Sequence, residues 1–143
     1  MAFMGGSNST KLSDEDRQTI QAWGWNLSEE EMLLVANNLS EMRLSSTADW
    51  SAGRCVMVKV NRFDSFGKAG IRVGDVIAAI NGEALVDEPS FALALCRLGV
   101  GAKPVLKISR GAESLDVTME LLKKNLNFAI DEIQVQFERK ISP

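Results

Sequence analysis

Ala69-Gly70-Ile71-Arg72-Val73-Gly74-Asp75-Val76-Ile77, followed by Ile80-Asn81-Gly82, is the stretch whose reading decides the fold. Gly70 and Gly74 bracket a tight connection, because glycine enters the left-handed backbone region without the cost a Cβ imposes. Asp75, directly after Gly74, is placed to bond neighbouring amides and fix that turn, which is a structural role. Val76 to Ile80 is a nearly all-apolar run of strand length. Asn81-Gly82 is a two-residue hairpin turn, so Glu83 to Val86 can pair back.

Working outward, Arg54 to Val60 reads as a strand and Asn61 to Gly67 as a turn-rich connection. Ser45 to Gly53, rich in serine and turn residues, reads as loop. Downstream, Pro89 suits the first turn of a helix, and Ser90 to Leu98 continues it until Gly99-Val100-Gly101. Pro104 to Arg110 and Ser114 to Leu121 are two more strands joined at Gly111-Ala112. Near the start, Ser13 with Asp14, Glu15 and Asp16 caps a short helix over residues 13–21. Ser28 and Glu31 form a capping box for a second helix, running to Leu44 with Met32, Val35, Leu39 and Met42 at helical spacing. Between the two helices lies Ala22-Trp23-Gly24-Trp25-Asn26-Leu27.

The 143 residues suit one domain, and 45% hydrophobic with 24% charged content is a globular balance. The net charge of −3 gives no positive excess to drive phosphate-backbone binding, so no nucleic-acid partner is expected. There is no histidine in the chain, which removes Ser-His-Asp and Cys-His catalysis and most zinc sites. No enzyme, cofactor or metal is therefore expected. Cys55 and Cys96 have no metal-ligand spacing; one disulfide in an oxidising compartment and two buried thiols both remain open. The apolar stretches fall well short of the ~20 residues a membrane-spanning helix needs, so no membrane contact is expected. Residues 1–12 read as a flexible leader without the basic and apolar regions of a signal peptide.

The glycine-aspartate run and the Ile80-Asn81-Gly82 turn together resemble the bacterial PDZ signature AGL-x-x-GD-x-I-x-x-ING. The likeness is nearest to the circularly permuted PDZ domains of HtrA/Deg-type serine proteases, and is clearest over residues 54–121. It implies an α+β fold: a partly open antiparallel β-barrel or sandwich of roughly five or six short strands capped by two helices. The domain would span residues 13–121, with an extra C-terminal amphipathic helix over 122–143. The resemblance also implies a non-catalytic module that binds peptide or protein C-termini, located in the bacterial cell envelope or periplasm. Such a module would serve as the regulatory or substrate-recognition part of a longer chain carrying a serine protease domain.

In that family a peptide adds a strand beside a helix, and a loop reading x-Φ-G-Φ holds its terminal carboxylate. Ala22-Trp23-Gly24-Trp25 fits that loop, which assigns the carboxylate-binding amides to Trp23, Gly24 and Trp25. Trp25-Asn26-Leu27 would be the pairing strand, the alternative being that the two tryptophans are core aromatics on a strand. They are bulkier than the residues the family uses there. On the helix, Phe91, Ala94 and Leu98 share one face and Ala92, Leu95 and Cys96 another. The resemblance assigns the first to the core and the second to the groove, with the opposite phase also open.

In the tail, Leu122, Leu126, Ile130, Ile133, Phe137 and Ile141 form an apolar stripe. It suits packing on the domain, a homodimer surface, or a helix leading elsewhere. The competing function is a scaffold or assembly domain of a secretion or envelope complex, with a closed groove and helices that do the work.

Overall fold

The computed structural model describes residues 11–124. Helix α1 (Asp14–Ala22) starts at Ser13, whose hydroxyl accepts from the Asp16 amide, and helix α2 (Glu29–Asn38) starts at the Ser28–Glu31 capping box. The α-helix ends earlier than the apolar spacing suggests. A single 3-10 turn (Leu39–Glu41) follows it, and Met42 turns into extended backbone bridged to Lys123. Strand β1 (Thr47–Asp49) lies inside the segment expected to be loop. Strand β2 (Cys55–Lys59) follows, and α3 (Ser65–Lys68) is a single helical turn within the expected connection. Strands β3 (Val76–Ile80) and β4 (Glu83–Ala84) make the hairpin at Asn81-Gly82, both in the left-handed region with φ of 48° and 83°. Helix α4 (Glu88–Leu98) is capped by Asp87 and carries Pro89 in its first turn. Strands β5 (Val105–Arg110) and β6 (Glu113–Thr118) close the sheet, with β6 ending before the expected Leu121.

The six strands form one antiparallel sheet in the order β1-β2-β3-β5-β6, with β4 on β3. The fold is thus the expected α+β open antiparallel sheet with helices against it. The expected C-terminal helix and the homodimer surface assigned to it lie outside the described residues, apart from Leu122 to Lys124.

Two apolar cores share α4. The main core packs Phe91 and Leu95 of α4 against Met57, Ile77, Leu106, Ile108 and Phe66. The second core packs Leu93 and Cys96 of the same helix against Ile20, Met32, Val35 and Ala36 of the α1–α2 hairpin. Leu12, placed by the sequence in the leader, is buried in that second core. Arg17 of α1 is paired with Glu29 at the start of α2, joining the hairpin at its surface.

The signature loop is held by one ion pair. Asp75, about 1% exposed, accepts from Arg110 Nε at 2.9 Å and Nη2 at 2.8 Å, and from the Arg72 amide at 2.8 Å. Arg110 Nη2 also donates to the Gly70 carbonyl at 3.0 Å. The Asp75 carboxyl is held below the usual carboxylate range, chiefly by hydrogen bonding to Arg110, against its own desolvation. A depressed carboxylate contributes stability that is fully present above its unfolded value, about pH 4, and is lost as pH falls through the folded value. Removing one member of such a buried pair costs about 3 kcal/mol or more, because the other charge is left uncompensated. Asp75→Ala is therefore expected to lower unfolding free energy by about that amount at pH 7. Denaturant titration from pH 7 to pH 2 checks it: the gap between parent and variant should narrow below about pH 4.

Candidate functional site

A cleft opens between β1 and α4. Its walls are Ser46, Ala48 and Trp50 on one side, Glu88, Phe91, Ala92 and Leu95 on the other, with Met57 and Phe66 as floor and Trp25 and Leu39 at the rim. Ser46 and Ala48 share a face because side chains alternate along extended backbone, and Trp50, just past the end of β1, joins the same wall. Trp50 and Phe66 flank Phe91 at centroid distances of 6.0 and 6.3 Å, so the floor is built of rings. The space exists because the two facing positions, Ala48 and Ala92, are small. Its volume is about 170 Å³, and an apolar cavity of about 150 Å³ takes a benzene molecule. The cleft thus has room for one apolar side chain.

Strand β1 pairs only with β2, through Thr47↔Lys59, Ala48↔Met57 and Asp49↔Val56, and stands at the end of the sheet order. Among the described residues no strand pairs with its outer edge, which lies beside the cleft. An edge of unpaired backbone groups is a template for another extended chain.

The residues the sequence singled out are placed differently from one another. Ala92 and Leu95 line the cleft, and Leu95 also belongs to the main core with Phe91. Cys96 faces away from the cleft, under the α1–α2 hairpin, which sequence spacing on α4 alone could not reveal. Leu98, expected in the core, is 40% exposed at the end of α4. Trp25-Asn26-Leu27 is not a strand: Asn26 is exposed and Leu27 packs against the second core. The strand beside α4 is β1 instead.

The nest expected at Trp23 to Trp25 is largely committed. The Trp23 amide donates to the Ile20 carbonyl at 3.1 Å and the Gly24 amide to the Gln21 carbonyl at 3.0 Å, so both close the end of α1. Gly24, with φ of 81°, supplies the left-handed residue that commonly ends a helix. Trp25 stacks edge-on against Trp23 at 4.8 Å and reaches the cleft rim.

At the other end of β1 the polar groups converge on Asp64. Its Oδ2 accepts from the Ser45 amide at 3.0 Å, the Ser46 amide at 2.8 Å and the Ser46 hydroxyl at 2.6 Å. Its Oδ1 accepts from the Gly67 amide at 2.8 Å, capping α3. The Asn61 amide completes the group by donating to Ser46 Oγ at 2.9 Å. Asp64 is fully buried.

Among the described residues no group of three or more His, Cys, Asp or Glu is placed to hold a metal ion. Cys55 and Cys96 are both free, which settles the pairing the sequence left open. Burial pushes each thiol up to about 12. Neither is a thiolate at neutral pH, and neither is reactive. Titration with a thiol reagent at pH 7.5 should find no rapidly reacting thiol in the folded protein and two after denaturation. Rapid labelling of either in the native state would contradict this burial.

The sequence model for the PDZ domain matches residues 26–121, beginning after Trp25. No curated protein matches the chain. Among solved structures, a variant of the HtrA-type protease AlgW with a decapeptide superposes at TM-score 0.54 and 17% identity, covering 78% of this chain and 33% of that one. A serine endoprotease from Yersinia pestis gives TM-score 0.51 and 16% identity over 59% of this chain and 30% of its own. An aminopeptidase N family protein from Idiomarina loihiensis gives 0.50 and 21% over 60% and 15%. At these identities the likeness is one of fold. The chain spans a third or less of the length of these structures.

Proposed function

The chain belongs to the PDZ domain family, and from that premise we propose that it binds an extended peptide in the cleft between β1 and α4. The peptide adds a strand to the free edge of β1 and drops one apolar side chain between Ala48 and Ala92. Backbone hydrogen bonds supply sequence-independent affinity, and the single pocket supplies selectivity. The observation that carries this reading is an open apolar cleft directly beside a strand edge that no other described strand pairs. The same observation weighs against the scaffold alternative, which requires a closed groove.

The PDZ domain is a non-catalytic module. On this reading it serves a longer bacterial envelope protein, in which a serine protease domain cuts what the module presents. Support comes from the two protease structures it resembles in fold, of which it spans about a third or less. Among the described residues no helix is long and apolar enough to cross a membrane.

Panning a display library of random decapeptides provides ligands for a direct test. Ala92→Phe fills the cleft and is expected to weaken their binding at least tenfold, while far-ultraviolet circular dichroism stays that of the parent. Overpacking of this kind costs about 1–3 kcal/mol of stability, so binding is compared well below the melting temperature. Unchanged affinity in a folded Ala92→Phe variant would remove the cleft from the reading.

A further inference from the structure

Resting on that reading, we infer that the cleft takes an internal strand of a partner polypeptide and does not depend on a free chain end. Capture of a terminal carboxylate needs two or more amides converging at the end of the groove. A strand added antiparallel to β1 brings its C-terminal end to the Ser45-Ser46 end of that strand. There the Ser45 amide, the Ser46 amide and the Ser46 hydroxyl all donate to Asp64. The Ser45 and Ser46 donors at that end of β1 are thus spent on a carboxylate of the chain itself.

Asp64 is not an easily displaced lid. It is fully buried, and its other oxygen caps α3 through the Gly67 amide. A Cβ on Gly67 would come within 2.2 Å of the Asn61 carbonyl oxygen, so the turn that carries Asp64 is packed backbone on backbone. Swinging the side chain out would leave the Ser45 and Ser46 amides and the α3 cap unpaired together, a cost larger than one hydrogen bond returns. The other pair of candidate donors, the Trp23 and Gly24 amides, closes α1. Among the described residues the charged side chain lining the cleft is Glu88, which offers a ligand carboxylate no counter-charge. A neutral peptide bond continuing past Ser46 meets none of these penalties.

The test uses ligands selected from two random decapeptide libraries, one displayed with free C-termini and one flanked on both sides by carrier sequence. The tightest binder from each is synthesised as the free acid, as the C-terminal amide, and with Gly-Ser-Gly-Ser appended. Titration calorimetry at pH 7 should give affinities within about threefold across each trio. A free acid binding tenfold or more tightly than its amide and its extended form would overturn the inference while leaving the peptide-binding function standing. Failure of both libraries to yield any binder would remove the function itself, and the inference with it.

Discussion

The ion pair between Asp75 and Arg110 is the constraint from which the rest of the geometry follows. Bidentate Arg–carboxylate pairs fix orientation as well as distance, and here the pair ties the loop before β3 to the end of β5. The same loop reaches the neighbouring strand through main-chain bonds, with the Met57 amide donating to the Asp75 carbonyl at 2.9 Å and the Gly74 amide to the Met57 carbonyl at 2.7 Å. One short loop therefore sets β2, β3 and β5 against one another. Among the described residues strand β1 has no partner strand except β2, so its position, and with it one wall of the cleft, is inherited from that loop.

The opposite wall is set by competition for α4. Phe91 and Leu95 are drawn to the sheet, and Leu93 and Cys96 to the α1–α2 hairpin. Burying a large apolar side chain is worth about 1.5–3 kcal/mol, so two cores pulling on two faces hold the helix more firmly than one could. Between those faces sits Ala92, too small to close the distance to Ala48. The opening is a consequence of residue size at two positions on a rigid frame. The hairpin also removes Cys96 from solvent, and the end of α1 takes up the Trp23 and Gly24 amides.

Much of this frame was legible in the residues. The signature run identified the family, and the Ser13 cap, the Ser28–Glu31 capping box, the Asn81-Gly82 turn, Pro89 and the strand periodicities located most elements within a few residues. What escaped had a common cause. Strand β1 is three residues long and lies among serines, where turn chemistry outweighs the faint alternation of Ala48 and Trp50. Only its pairing with β2 makes it a strand. Trp23-Gly24-Trp25 fits a carboxylate loop in sequence and ends a helix in the structure, because both need a left-handed glycine with neighbouring amides turned to acceptors. Which acceptor those amides find is decided by α1 and not by the motif. The role of Asp64 was invisible for a similar reason: its partners Ser45 and Ser46 lie 19 and 18 positions away in sequence.

The account rests on β1 and α4 as the two sides of one peptide site. Backbone amide chemical-shift mapping of the isotopically labelled protein, titrated with a selected decapeptide, tests that most directly. The account predicts the largest shifts at Ser46 to Trp50 and at Ala92 and Leu95, with the amides of Thr47 to Asp49 gaining protection from hydrogen exchange. Shifts confined to Trp23 to Leu27 and α2, with β1 unmoved, would contradict it.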